Sequence, residues 1–413
     1  MVKKLHYAWV VTLGSFLLYF SVGLVRFVYP YLVPTMEETL GISHTVMATI
    51  LSFYFWADAI MRIIWGVLSD KIGARVTSVI GCAILASGVF IMSLGRSVFM
   101  LTLGFGIAGV GAAALFVLPT QILSNWFGRA KRGTAMGFAQ LGTSIVTLSA
   151  GLIIPVILLK FPYYSVFRVE SIALAAITIL LFLIIRNKPI DMNTEPYAAT
   201  PEELAAVQAQ AAKKTNPWTK ESLKQVVGQK SFYLILAAYF LFGFSNTGFI
   251  TFRMGYLQEM GWEPVQLGRL ISISSFAALL SPPLFGMLGD KIEKRKAYAL
   301  GMVLLSIGML VLLTSARSTV GLMIGLLFIA ISSAGPVVLN SSILPEYFPI
   351  SLLGTSFGLI GGFFSIASAI SPIVGGMIAD ATGNLSGVVI MSIAASLLGA
   401  LCIQMLKKSK PEK

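Results

Sequence analysis

The sequence predicts an all-α membrane protein of twelve transmembrane helices arranged as two six-helix bundles. Three observations predict it. Hydrophobic residues make up 56% of the 413 residues and charged residues only 11%, against about 25% charged in a soluble domain. The apolar residues gather in runs of about twenty, the length of helix that crosses a bilayer core. The chain also repeats itself. Gly66-Val67-Leu68-Ser69-Asp70-Lys71-Ile72-Gly73-Ala74-Arg75 recurs 220 residues later as Gly286-Met287-Leu288-Gly289-Asp290-Lys291-Ile292-Glu293-Lys294-Arg295. The first glycine, the Asp-Lys-Ile core and the closing arginine recur, while Gly73 gives way to Glu293.

The predicted spans are 8–30, 44–67, 77–95, 98–124, 133–158, 167–186, 231–256, 265–288, 297–315, 318–343, 354–378 and 386–406. Lipid offers no partner to an unpaired backbone group, so each span is helical. The alternating ten-residue pattern of a membrane β-barrel is missing. Twelve spans place both termini on one side. With the N-terminus inside, only Arg96, Lys160, Arg168, Arg269 and Arg317 fall outside or at outer span ends, and Arg26, Arg62 and Arg253 fall within spans. The remaining Lys and Arg lie inside or at inner span ends, while the outer loop 35–43 carries Glu37 and Glu38 and no basic residue. That asymmetry orients a membrane protein. It also accounts for the net charge of +13 without nucleic acid as a partner.

The sixth and seventh spans are separated by a polar stretch, so the domains are expected at 1–186 (N-terminal bundle), 187–230 (cytoplasmic linker) and 231–413 (C-terminal bundle). Within the linker, Thr200-Pro201-Glu202-Glu203 has the form of a capping box with proline at the first helical position. A short helix to about residue 212 is expected before Asn216-Pro217 ends it. Duplicated bundles at this scale indicate a transporter with its substrate between them.

Other classes find little support. Cys82 and Cys402 lie far apart in apolar runs and read as small hydrophobes, not as a disulfide or metal pair. The first span lacks a small-residue cleavage site and reads as a span, not a signal peptide. Gly104, Gly106, Gly109 and Gly111 follow no strand, so they read as packing surfaces in place of a nucleotide loop. The sequence carries no zinc constellation, hydrolase triad or ATP loop. We therefore expect no enzyme activity, cofactor or metal, and transport driven by gradients.

The paired loops at 66–75 and 286–295 resemble the hallmark of the major facilitator superfamily, whose motif reads Gly-x-Leu-x-Asp-Arg/Lys-x-Gly-x-Arg. The resemblance covers the whole chain. It implies an alternating-access carrier in which Asp70, Arg75, Asp290 and Arg295 latch the inner side and release when that side opens. Such a carboxylate can pair with a neighbouring helix N-terminus. Ser52-Phe53-Tyr54-Phe55-Trp56, Asn125-Trp126-Phe127, Lys131-Arg132-Gly133-Thr134-Ala135-Met136-Gly137 and the stretch from Pro372 to Asp380 are similar to the anion:cation symporters. The second and third of these also resemble oxalate/formate and monocarboxylate carriers. The symporter resemblance implies that Arg26 engages an anion. Departures stand beside it: Asp58 and Arg62 occupy positions where the symporters often have Tyr and Gln. Leu279-Leu280-Ser281-Pro282-Pro283 lacks the span-8 arginine of monocarboxylate carriers, and the span-11 lysine of oxalate/formate carriers is missing too. Proton-coupled drug exporters are the main rival. Their span-4 arginine is absent before Gly109-Val110-Gly111, and Leu148-Ser149-Ala150-Gly151-Leu152 lacks their span-5 pattern.

Charges within spans are costly, about 2.5–3.5 kcal/mol or more near the centre, and mark functional candidates. Asp58 and Arg62 are four apart on one helical face, with Tyr54 on the same face. Counting back from Gly66 puts Asp58 about 12 Å into the membrane. The pair reads either as a proton-coupling carboxylate with its arginine or as a permanent ion pair fixing span 2. Arg26 suits two-pronged capture of a carboxylate or snorkels outward. Arg253 near the outer end of span 7 snorkels or helps funnel anions. Gln121, Gln140, Asn246 and Asn340 are candidate neutral ligands, or simply bond neighbouring helices.

The sequence thus predicts a secondary transporter of a small organic anion, a mono- or dicarboxylate or a sugar acid. Proton symport, surrounding lipid, a monomeric state and a prokaryotic inner membrane with cytoplasmic termini complete the expectation. Drug export, ligand sensing without transport and a membrane-embedded enzyme are the alternatives.

Overall fold

The computed structural model describes residues 6–200, 220–348 and 353–407. Its helices are α1 (Tyr7–Leu40), α2 (His44–Ile72), α3 (Ala74–Leu94), α4 (Val98–Trp126), α5 (Arg129–Leu158) and α6 (Tyr163–Ile184), then the short α7 (Lys220–Val227). There follow α8 (Lys230–Glu259), α9 (Pro264–Lys291), α10 (Lys294–Ser315), α11 (Thr319–Ser332), α12 (Gly335–Tyr347), α13 (Leu353–Thr382) and α14 (Ser386–Gln404). With α11 and α12 taken as one bent span, this is a twelve-helix membrane fold. Eleven helices among the described residues are long and apolar enough to cross a bilayer. The remaining span, α2, is 29 residues long and carries Asp58 and Arg62 in its middle. Large apolar side chains face outward, as lipid requires: Phe99, Leu159 and Ile172 are 72%, 70% and 66% exposed.

Local chemistry sets the helix ends. Ser97 and Ser318 cap α4 and α11, accepting from the N–H groups of Met100 and Gly321. Helix α1 runs ten residues beyond the predicted end at 30, through Pro30 and Pro34, because Met36 is fully buried and anchors the extra turns. It stops at Gly41, whose φ of 63° is a left-handed helix end. The N–H of Ile42 reaches back to the Glu37 carbonyl at 3.2 Å. The same closure recurs 220 residues later: Gly261 has φ 95° and Trp262 N–H bonds the Leu257 carbonyl at 3.3 Å. The predicted span 318–343 is broken between α11 and α12, where Gly335-Pro336 opens the second helix. The predicted capping box at Thr200–Glu203 and the helix after it lie outside the described residues, apart from Thr200.

The chain packs into two compact units. The first holds α1 to Val28, α2 from Trp56, α3, α4, α5 to Thr147, and α6. Here α3 and α4 meet through glycine. A side chain on Gly88 would collide with Ala108, one on Gly104 with Met92, and one on Gly111 with Gly81 and Leu85. Gly106 faces open space and takes no part in this contact. Cys82 is buried and donates to the Leu174 carbonyl at 3.6 Å, and both cysteines are free thiols. The second unit holds the rest of α1, α2 and α5 with α7 to α14. In it α5 and α9 touch at Gly151 and Gly268.

Candidate functional site

The two charged residues in the middle of α2, Asp58 and Arg62, belong to the first unit. One helical turn separates Asp58 from Arg62, and the spacing brings the two together. Arg62 Nε lies 3.0 and 2.9 Å from the two Asp58 carboxylate oxygens. Its Nη2 lies 2.7 Å from Oδ2. Asp58 is 3% exposed. A buried ion pair gains little stability over apolar residues of the same size, so its presence points to a role other than stability.

Helix α4 supplies the surroundings. The Arg62 guanidinium carbon sits 4.3 Å from the ring centre of Phe116, a cation–π contact. One turn along, Trp65 Nε1 donates to the Val110 carbonyl at 2.8 Å and pins α2 to α4. Tyr19 of α1 meets Phe116 edge to face, with ring centres 6.0 Å apart. Its hydroxyl faces the side chains of Thr120 on α4 and Gln140 on α5, near the Arg62 charge. Phe116, Thr120 and Gln140 are exposed at the surface of this unit, while Tyr19 is buried. The arrangement brings an arginine with its carboxylate partner close to an aromatic ring, with hydroxyl and amide groups near by. That chemistry suits a small anion.

Asp58 and Arg62 are thus brought together, and Gln140 lies beside Tyr19 in the same unit. Gln121, beside Thr120, and Arg26, further along α1, are part-buried in the same unit. Tyr54 is buried in the second unit, edge-on to Phe55 at 5.2 Å. Arg253 of α8 is part-buried in the second unit beside the Tyr31 hydroxyl. Two residues earlier on each helix, Tyr29 and Thr251 share a hydroxyl hydrogen bond of 3.2 Å. Asn246 is part-buried on α8, and Asn340 is 5% exposed on α12, its Oδ1 without a hydrogen bond.

The predicted latch residues fall as follows. Asp70 and Asp290 lie near the ends of α2 and α9, and their side chains are outside those described. Arg75 donates through Nε and Nη2 to the Phe182 carbonyl at 3.0 and 2.8 Å. Arg295 donates to Glu293 at 2.8 Å and to the Leu406 carbonyl.

Sequence reasoning missed Tyr19, Phe116 and Thr120, because tyrosine, phenylalanine and threonine in apolar runs look like packing. It also missed a polar cluster at the predicted outer end of the second unit. There Asp380 of α13 caps α2, accepting from the His44 and Thr45 N–H groups at 3.1 and 3.0 Å. His44 Nδ1 is 2.9 Å from Glu37. A side chain on Gly376 would lie 2.7 Å from the His44 carbonyl, so α13 approaches α2 closely at this end. Glu259 accepts from the Leu385 N–H at 3.0 Å just before α14. Among the described residues, no group of His, Cys, Asp and Glu could hold a metal.

The family model described as Major Facilitator Superfamily matches residues 15–281 and 254–413. A probable sulfoacetate transporter of Cupriavidus necator is 25% identical, the alignment covering 93% of this chain and 90% of that protein. A hexuronate transporter of Bacillus subtilis is also 25% identical, over 90% of this chain and 87% of that one. A bacterial homologue of the human lysosomal transporter Spinster, solved inward-facing and unoccupied, superposes with a TM-score of 0.79 at 13% identity, covering 98% of this chain and 97% of that one. That likeness concerns the fold.

Proposed function

The chain belongs to the Major Facilitator Superfamily, and from that premise we propose that it carries a small organic anion across the membrane by alternating access, with a proton as co-substrate. The single observation that carries this reading is the buried Asp58–Arg62 pair of α2. The relatives named for sulfoacetate and hexuronate transport support the substrate class. The asymmetric spread of Lys and Arg supports a bacterial inner membrane with both termini in the cytoplasm.

The mechanism follows from charge. With the site empty, Asp58 neutralises Arg62. When Asp58 takes a proton, the Nε–Nη2 edge of Arg62 is released to a substrate carboxylate, and the site is neutral again. An anion without a proton leaves one negative charge too many, and a proton without an anion leaves an unbalanced arginine. Either costs several kcal/mol in a low-dielectric interior. Only the neutral states change access readily, so anion and proton move together. In this reading Arg26 draws the anion in, and Thr120 and Gln140 bond its hydroxyls.

Uptake into proteoliposomes tests this. A panel of sulfonates, carboxylates and sugar acids, with cationic drugs beside them, is offered to wild type, Arg62→Gln and Asp58→Asn. We expect an anion to enter with wild type, driven by an inward proton gradient. Arg62→Gln should lose uptake and exchange by a hundredfold or more, consistent with loss of a desolvated charge pair. Asp58→Asn should keep exchange of internal for external anion and lose the proton drive. Undiminished anion uptake by Arg62→Gln overturns the role of the Asp58–Arg62 pair, and transport of cationic compounds alone overturns the reading in favour of an exporter.

A further inference from the structure

We infer that Phe116 is a positioning residue for Arg62, holding the guanidinium plane fixed while its carboxylate partner changes. The inference deepens the anion-carrier reading above and rests on it. Two of the Arg62 contacts differ in kind. Its Nε and Nη2 edge meets the Asp58 carboxylate, and its carbon lies 4.3 Å from the Phe116 ring centre. The carboxylate contact is the one that proton uptake breaks. The aromatic contact depends on no proton and outlasts the exchange.

The ring is held for this task. Tyr19 meets it edge to face at 87° between planes, and the Tyr19 hydroxyl faces Thr120 and Gln140. Thr120 stands one turn beyond Phe116 on α4. Trp65, three residues after Arg62, is bonded to the α4 backbone at Val110. The face of α2 that carries Arg62 is therefore anchored against the helix that carries Phe116. A long arginine side chain has several rotamers to lose on binding, and each immobilised side chain of this kind weakens association. A guanidinium already seated on a ring loses less. An incoming carboxylate then finds the Nε–Nη2 edge in the direction that Asp58 occupied. Phe116 touches neither the proton nor the carboxylate, so its effect belongs to binding and not to the rate of the access change.

Proteoliposome uptake of glucuronate and of sulfoacetate tests the inference with Phe116→Leu, Phe116→Tyr and Arg62→Gln beside wild type. Thermal unfolding in detergent confirms that each variant is folded. Phe116→Leu keeps apolar bulk and loses the π face; we expect its KM for the anion to rise roughly tenfold while kcat changes less than about twofold. Phe116→Tyr keeps the face and should restore KM to within about twofold of wild type. A Phe116→Leu protein with unchanged KM, or with kcat lowered and KM unchanged, overturns the inference. So does a Phe116→Tyr protein as weak as Phe116→Leu. If wild type takes up neither anion, the anion-carrier reading itself has failed. If Arg62→Gln takes up both anions like wild type, Arg62 does not hold the anion and the inference falls while the anion-carrier reading stands.

Discussion

The two copies of the repeated loop place one residue alike and solve the turn before it differently. In the first copy, Arg75 donates to the Phe182 carbonyl in the last turn of α6. In the second, Arg295 donates to the Leu406 carbonyl just past α14. Each arginine thus closes the final helix of its own half, where carbonyls lack helical partners. The residue two places earlier differs in conformation. Gly73 has φ 85° and ψ 153°, a region that essentially only glycine occupies. A Cβ there would lie 2.8 Å from the Asn187 side chain, and Asn187 Oδ1 in turn accepts from the Arg75 N–H at 2.8 Å. Glu293 has an ordinary φ of −54°, and its carboxylate meets Arg295 at 2.8 Å and Lys296 at 3.7 Å. The second copy has therefore not lost a glycine it needs. Its turn has another path, and the freed position holds an ion pair.

Swapping the two residues breaks the comparison where it is strongest. Gly73→Glu should lower the thermal midpoint in detergent most, because it adds about 1–3 kcal/mol of backbone strain and drives a side chain into Asn187. Gly73→Ala together with Asn187→Ala separates the two causes. If steric conflict dominates, the double variant recovers most of the loss. If strain dominates, it recovers little. An unchanged midpoint for Gly73→Glu would mean that the first loop can follow the backbone path of the second. Next in size come the arginines. Arg75→Gln removes two charge-assisted bonds to one carbonyl and a ring contact with Phe182 at 4.4 Å, a loss of about 1–3 kcal/mol. Arg295→Gln should cost less, since Glu293 retains Lys296 as a partner. Equal losses in the two variants would show that the Glu293 pair contributes nothing.

The same loops show what could be read in advance. Chain composition and run length were enough for twelve spans, because lipid leaves helices little choice. The repeat is visible as letters, yet the letters show only that Gly73 gives way to Glu293, where the backbone shows a change of turn. At the candidate site, Asp58 and Arg62 stood out because charge is rare in a span and four residues make one turn. Phe116 did not stand out among 27 phenylalanines, since only its position under a guanidinium separates it from lipid-facing rings. Asp380 was legible as part of a motif, but its partner is a helix N-terminus 335 residues away. Backbone N–H groups leave no trace in a sequence.

The smallest effect is expected from Glu293→Gly, the reverse swap. The position already has a φ that any residue adopts, so glycine relieves no strain there. The Glu293 and Arg295 side chains are 29% and 22% exposed and that of Lys296 is 56% exposed. Ion pairs in such surroundings contribute about 0–1 kcal/mol. Glycine also adds freedom to the unfolded chain, which destabilises by about 0.5–1 kcal/mol. The midpoint should therefore fall slightly, by far less than with Gly73→Glu. The Leu406 bond leaves Arg295 a partner after its carboxylate is gone. Thermal unfolding of the two swaps side by side in the same detergent decides the matter. A fall in Glu293→Gly as large as in Gly73→Glu would mean that the second loop depends on its ion pair as fully as the first depends on its glycine.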